Sequence, residues 1–150
     1  MHADAAQIAK TLGLQPLPTE GGHWAQTWRT EQGTAIYYLL AQPEFSALHR
    51  LDHPEVFSYH AGAPARMLLL HPDGRVERPV LGIDLASGQR PQVVVPAGVW
   101  QATETAGTWS LLGTFMAPPY TEDVVRFADP ADLTVRYPSA AEDISRLSPR

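Results

Sequence analysis

The side chains best suited to chemistry lie in two short segments. The first is SALHRLDHPEVFSYHAG, residues 46–62, which carries His49 and Glu55. The second is GQRPQVVVPAGVWQA, residues 88–102, which carries Gln101 near its end. An imidazole that titrates near neutral pH and a carboxylate are typical general acid–base groups, and the same pair can also bind a metal ion.

Side-chain alternation along strands predicts which of these groups meet. His49 and Leu51 share one face of a predicted strand, and Glu55, Phe57 and Tyr59 share one face of the next. If His49 points inward, Glu55 on the neighbouring strand can reach it. Two structural alternatives stay open at this point. His49 could be a buried histidine bonded to Glu55 or a tyrosine, and Glu55 could be a rim carboxylate paired with Arg50.

Other side chains are predicted to complete a pocket. Gln92 and Val94 lie on the same face of a predicted strand, and Gln92 is expected to line the same cavity as His49 and Glu55. Trp100 follows the turn formed by Pro96–Gly98 and is the first choice to stack on a planar or sugar-like ligand. Arg50 could clamp a carboxylate or phosphate.

The rest of the chain reads as short strands separated by turns, a pattern typical of a sandwich or barrel. A short helix is expected to begin at Asp4 and end at Gly13, and Ser139 with Glu142 predicts a capping box for a last helix. The candidate strands are residues 23–30, 34–41, 45–51, 55–61, 65–70, 75–81, 91–95, 99–103, 109–117 and 124–127.

Composition narrows the class of protein. The chain has 150 residues, which suits one domain over 1–150, with 44% hydrophobic and 18% charged residues. It has no cysteine, so disulfides and thiolate chemistry are excluded. The formal net charge of −5 argues against a nucleic-acid partner. No segment is apolar enough to span a bilayer or to act as a signal peptide, so we expect a cytoplasmic protein that does not bind a membrane.

Several motifs together resemble the cupin superfamily. His49, Glu55 and Gly62 occupy three positions of its first motif, and PAGVWQ at 96–101 occupies its second, Pro-x-Gly-x-x-His. PTEGG, AIYYLL, SALHR and PAGVW are similar to the PEGG, IYFLL, SxxHR and PAGxW motifs of an uncharacterised single-domain cupin family, a domain of unknown function, with Thr19 interrupting the first. The resemblance implies an all-β, double-stranded β-helix (jelly-roll-like) barrel with short helices at both termini, and a homodimer.

The resemblance also implies a metal site, from which this chain departs. Metal-binding cupins usually offer two His, a Glu and a third His, but Leu51 stands at the second His position and Gln101 at the third. Leu51 cannot ligate a metal, and Gln101 is a poor, neutral donor. We therefore expect no tightly held metal. A weakly held divalent ion, if one binds, would be held by His49, Glu55 and Gln101.

Three functions remain open from the sequence. The first is a metal-free cupin that binds a small metabolite in its barrel, with or without turnover. A concrete enzymatic version is sugar-nucleotide epimerisation or isomerisation. Cupin-type deoxysugar epimerases work without metal, and by that resemblance His49 would be the base and Tyr37 or Tyr59 the acid. The second is a metal-dependent oxygenase or isomerase, and the third is a non-catalytic binding or structural protein. The side chains expected to bind the ligand are Glu55, Gln92, Trp100, Gln101, Arg50 and Phe57.

Overall fold

The structure is a computed structural model that describes residues 1–150. Three helices lie at the two ends of the chain, at Ala3–Leu12 (α1), Pro130–Arg136 (α2) and Ala141–Arg146 (α3). Twelve strands lie between them: Gln15–Pro16 (β1), His23–Arg29 (β2), Thr34–Ala41 (β3), Ser46–Leu51 (β4), Glu55–Gly62 (β5), Ala65–Leu70 (β6), Val76–Glu77 (β7), Val80–Leu81 (β8), Gln92–Val95 (β9), Trp100–Thr105 (β10), Trp109–Met116 (β11) and Val125–Phe127 (β12).

The strands form two antiparallel sheets. The first has the order β1-β2-β3-β11-β5-β9, and the second has the order β12-β4-β10-β6-β7, with β8 also pairing with β6. Consecutive strands such as β2 and β3 pair as a hairpin, but neighbours such as β3 and β11 are far apart in sequence, so long connections also build the sheets. The all-β fold with short flanking helices is therefore confirmed.

The core lies between the sheets, where the inward side chains of both interdigitate. Its largest cluster includes Tyr38, Phe57 and Leu112 of the first sheet and Met67 and Leu69 of the second. Both sheets therefore present alternate residues to one interior, and every other residue along β3, β4 and β5 points into it. No helix of the chain has the length and apolar character needed to cross a membrane.

The helices cover the outer faces of the two sheets. α1 buries Ala5 against a cluster that contains Leu39, and it ends at Gly13 in the left-handed conformation, as the sequence predicts. α3 buries Ile144, but the capping box predicted there does not form, because Ser139 lies in a 3₁₀ turn and the side chain of Ala140 cannot cap. α2 was not predicted from the sequence. It begins after Asp129, whose carboxylate accepts a hydrogen bond from the Ala131 N–H.

The loop before β2 is packed tightly against the interior. Gly21 and Gly22 have φ angles of 99° and 80°. A Cβ at Gly21 would lie 2.2 Å from the carbonyl oxygen of Phe45, and one at Gly22 would lie 2.6 Å from Cε1 of Tyr38. Only glycine fits here, because the backbone is left-handed and there is no room for a side chain. The two glycines thus bring the residue before them, Glu20, to the mouth of the barrel.

We predict that Gly22→Ala destabilises the protein more than Gly74→Ala does. Both glycines have a positive φ, so both variants carry the same kind of backbone cost, but a Cβ at Gly74 meets nothing within 4 Å. The Gly22 variant adds a clash with Tyr38, and overpacking of this kind destabilises a protein by about 1–3 kcal/mol. Urea unfolding of both variants measures the difference. Equal losses would show that the close packing of this loop contributes nothing to stability.

Candidate functional site

A cavity of about 230 Å³ opens between the two sheets. Its walls come from both sheets and from the loops before β2 and after β11. Most of the wall is apolar and aromatic, formed by Leu17, Pro18, Trp24, Ile36, Tyr38, Leu51, Phe57, Met116 and Tyr120. A concave apolar space with a few convergent polar groups is the usual form of a small-molecule site.

Three of the seven polar side chains of the cavity are carboxylic acids. The ionisable ones are His49 and three carboxylates, and the uncharged ones are two threonines and a glutamine. The complete polar set is Glu20, His49, Glu55, Glu122, Gln26, Thr34 and Thr114.

His49 lies on β4 with its side chain only 3% exposed. Its Nδ1 lies 2.7 Å from the carbonyl oxygen of Ala47. Because a carbonyl can only accept, Nδ1 carries a proton and donates it. The other ring nitrogen, Nε2, lies 3.6 Å from Oε1 of Glu20. The backbone therefore fixes the tautomer, and in the neutral ring Nε2 holds the free lone pair.

Glu20 connects the polar groups at this end of the cavity. The hydroxyl of Tyr38 lies 2.7 Å from Oε2 of Glu20 and 2.6 Å from the carbonyl oxygen of Gly21, and its single proton can serve either. The hydroxyl of Ser46 donates to the same Oε2 at 3.0 Å. One carboxylate oxygen thus accepts neutral hydrogen bonds while the other faces the imidazole of His49.

Glu55 lies at the start of β5 and is 8% exposed. Burial raises its pKa from 4.5 to about 7, and the negative charge of Glu20 acts in the same direction. The charge of His49 and the polar groups of Thr114 and Gln101 lower it, but they do not offset the loss of water. Oε1 of Glu55 has no hydrogen-bond partner within the protein. Near neutral pH this carboxyl is therefore protonated in a large fraction of molecules.

Two tyrosines in the wall also respond to this acidic environment. Burial, and then the charge of Glu20, raise the pKa of Tyr38 well above its ordinary value. Burial and the charges of Glu20, Glu122 and Glu55 raise the pKa of Tyr120. Both phenols remain protonated at physiological pH and can act as hydrogen-bond donors.

The structure brings together several of the side chains predicted from the sequence. His49, Glu55 and Phe57 all line the cavity, and Leu51 lines it beside them, as the alternation along β4 and β5 predicts. Gln101 is directly opposite His49 across the β4–β10 ladder and is 1% exposed. Its side chain is not part of the cavity wall, and neither atom of its amide has a hydrogen-bond partner within the protein.

The two tyrosines proposed as acids are not placed beside His49. Tyr37 lies on the outer face of β3, where its ring packs edge to face against that of His60, with the ring centres 6.2 Å apart. Tyr59 lies just before a register shift in the second half of β5 and packs against the main core, and its hydroxyl donates to the carbonyl oxygen of Gly62. The cavity instead contains Tyr38 and Tyr120. AIYYLL has apolar side chains at every position, so it gives no alternation from which the inward tyrosine could be chosen.

Three predicted binding residues also lie outside the cavity. Gln92 is exposed and approaches Ser58 at 3.4 Å on the outer face of the first sheet, because Val93 and Val95 are the inward residues of β9. Trp100 and Arg50 lie on the outer face of the second sheet, where the guanidinium sits 5.0 Å from the centre of the indole ring. Arg50 therefore does not pair with Glu55.

The residues present do not fit the metal site that the cupin motifs imply. No group of three His, Cys, Asp or Glu side chains is placed to hold an ion. Leu51, at the position of the second histidine, forms part of the apolar wall and offers no ligand. A neutral amide at Gln101 does not make up for a missing charged or imidazole ligand.

Glu20 is a site residue that the sequence analysis missed, and Tyr120 is one for which closing over the barrel mouth ranked below a plain surface loop. Glu20 lies inside the quoted PTEGG motif, where an acidic residue held between a proline and two glycines was a usable signal. Tyr120 lies in the APPYTED loop, where the sequence favours a plain surface loop. Its backbone N–H donates to the hydroxyl of Thr34 at 3.0 Å, and this bond holds the loop against the mouth of the cavity.

Comparison with known proteins agrees with this architecture. A crystal structure of a protein from Shewanella oneidensis is 31% identical, with a TM-score of 0.90, and the match covers 100% of this chain and 99% of that one. A hypothetical protein from Leishmania major is 24% identical, with a TM-score of 0.87, over 97% of this chain and 99% of that one. No curated protein matches the sequence.

Oxalate decarboxylase from Bacillus subtilis is a more distant structural neighbour. It is 14% identical, with a TM-score of 0.62, and the match covers 89% of this chain but 37% of that one. At this level of identity the similarity shows the shared jelly-roll fold alone. The family described as "Cupin superfamily (DUF985)" matches residues 6–128, which is most of the chain. The protein therefore belongs to this family of the cupin superfamily.

Proposed function

We propose that the protein binds a small α-hydroxy carbonyl compound in its cavity and moves a proton between neighbouring carbons of that compound. The observation that carries the proposal is the pair formed by His49 and Glu20, 3.6 Å apart, inside an apolar cavity that also contains the buried carboxyl of Glu55. A base and a neutral acid in one water-poor space are the groups that enolisation requires.

The size of the cavity limits the substrate. At ~30 Å³ per water molecule, a space of about 230 Å³ holds about eight water-sized groups. A compound with the carbon skeleton of a triose, tetrose or pentose fits this space. Trp24 and Phe57 offer apolar surface to its C–H groups, and Thr34 and Thr114 offer hydroxyls to its polar edge.

His49 acts as the base in this proposal. Nδ1 donates to Ala47 in every protonation state, so Nε2 is the atom that accepts a proton from the carbon next to the carbonyl. The imidazolium formed then faces the carboxylate of Glu20 and is stabilised by it. Tyr38 and Ser46 hold Glu20 in place through hydrogen bonds, so this stabilisation needs little rearrangement during the reaction.

Glu55 acts as the acid. As the C–H bond breaks and its proton moves to His49, the carbonyl oxygen gains negative charge and takes the proton of the Glu55 carboxyl, which gives a neutral enediol. Return of a proton from His49 to the neighbouring carbon, with transfer of a hydroxyl proton back to Glu55, completes the exchange. The raised pKa of Glu55 makes its protonated form available near neutral pH.

We predict that His49→Asn removes proton exchange while the fold is retained. The assay is incorporation of solvent deuterium, read by NMR, into a panel of dihydroxyacetone, glyceraldehyde, erythrulose and xylulose. Loss of a general base costs about 10²–10⁴ in rate, so exchange should fall by at least about a hundredfold for whichever compound the parent protein exchanges. His60→Asn is the matched control, because His60 lies on the outer face of β5 against Tyr37.

Two results would contradict this proposal. One is that the parent protein exchanges none of the four compounds above the buffer rate. The other is that the His49 variant exchanges a compound as fast as the His60 variant does. Binding of a panel member without exchange would instead indicate the non-catalytic member of the three functions considered from the sequence.

We predict that Glu55→Gln stabilises the protein above pH 7. The folded-state pKa of Glu55 lies above its value of 4.5 in the unfolded chain, so folding binds a proton, and stability falls as the pH rises from about 4.5 through about 7. Above about pH 7 the loss of stability caused by Glu55 levels off at about 3 kcal/mol or less. Glutamine never ionises, so the variant should gain this amount at pH 8 and nothing from this source at pH 4.

Thermal unfolding at a series of pH values measures this difference. Glu31→Gln is the control, because Glu31 lies in the exposed turn between β2 and β3 and should unfold like the parent protein at each pH. A stability difference between Glu55→Gln and the parent that is constant from pH 4 to pH 8 would show that folding does not shift the pKa of Glu55.

A further inference from the structure

The electrostatics of the cavity select the charge of its ligand. We infer that the cavity takes uncharged or cationic molecules and excludes anions, so phosphorylated sugars and sugar nucleotides are not its substrates. This inference rests on the proposed function and narrows its substrate class.

The first observation is that no lysine or arginine lines the cavity. The arginines on β2, β4 and β12 each have partners within the protein. Arg29 donates to the side chain of Gln26 and to the carbonyl oxygen of Tyr120, two residues that line the cavity, but its own guanidinium does not line it. Arg126 donates to backbone carbonyls of its own segment, and Arg50 stacks on Trp100 behind the second sheet. No guanidinium lines the cavity to pair with a phosphate or carboxylate of a ligand.

The second observation concerns the charges that do line the cavity. The one side chain that can become positive, His49, faces the carboxylate of Glu20, so this pair contributes no net positive charge. Glu55 adds negative charge whenever it ionises, and Glu122 lies exposed at the mouth. An anion that enters this apolar space meets uncompensated like charges, which interact strongly because little water screens them.

The third observation favours neutral or cationic groups directly. Glu55 lines the cavity, and its buried Oε1 has no partner within the protein, so this carboxyl has hydrogen-bonding capacity left for a hydroxyl or an ammonium group. Trp24, Tyr38 and Phe57 present ring surfaces in the same space, and the faces of such rings attract cations and C–H groups rather than anions.

The test uses three open-chain five-carbon molecules that differ in charge: xylitol, xylonate and 1-amino-1-deoxyxylitol. Each is titrated into the full-length protein at low salt, and the dissociation constant is taken from NMR shifts of the Trp24 indole and the His49 ring. We expect xylonate to bind at least about tenfold more weakly than the other two, as for one uncompensated charge. The difference in dissociation constant between xylonate and the other two molecules, here called the gap, should shrink at about 0.5 M salt, where the screening length falls to a few ångströms.

Variants locate the source of the selection. Glu122→Gln removes one negative charge from the mouth and should narrow the gap between xylonate and xylitol. Asp132→Asn removes the same charge from the exposed surface of α2 and should leave the gap unchanged. Because both positions are exposed, neither variant is expected to disturb folding.

The outcomes separate this inference from the proposed function. If xylonate binds as tightly as xylitol and shifts the signals of Trp24 and His49, the charge selection is overturned while a ligand site in the cavity stands. If none of the three molecules shifts those signals, both the inference and the proposed five-carbon ligand are overturned.

Discussion

Glu20 holds a carboxylate inside the mouth of a largely apolar barrel, and the arrangement of the site follows from the need to stabilise it there. A charge withdrawn from water requires hydrogen bonds, and Glu20 obtains them from Tyr38 on β3 and Ser46 on β4, with His49 facing its other oxygen. These strands belong to different sheets. The carboxylate therefore links the two sheets at the cavity, and it fixes which side chains of each strand meet there.

The second carboxyl of the cavity, Glu55, lacks the hydrogen bonds that stabilise Glu20. Glu55 has no comparable set of donors, its Oε1 is unpartnered, and burial raises its pKa to about 7. The cavity thus contains one carboxyl that accepts hydrogen bonds from two hydroxyls and one whose pKa is raised by burial. A carboxyl with a raised pKa can act as an acid near neutral pH. The chain brings the two together with the first cupin motif and one loop.

Close packing of the loop before β2 positions Glu20 in the site. Gly21 and Gly22 leave no space for a side chain, and this close approach lets the backbone bring Glu20 within reach of Tyr38 and His49. Tyr120 approaches the mouth from a distant part of the chain, after β11. The functional groups therefore come from segments far apart in sequence, and the rigid β-sheets between them set their distances.

The sequence by itself determined the all-β class, most strand positions to within a few residues, the family and the inward placement of His49, Glu55 and Phe57. It did not predict β1, and the single strand predicted at 75–81 is two short strands, β7 and β8. These follow from local turn signals, from alternation and from motif spacing, which are properties of short segments. Only the tertiary structure decided that Glu20 rather than Tyr37 meets His49. An unbroken apolar strand does not reveal its inner face, and a loop side chain has no periodicity, so their partners depend on which strands the sheets bring side by side.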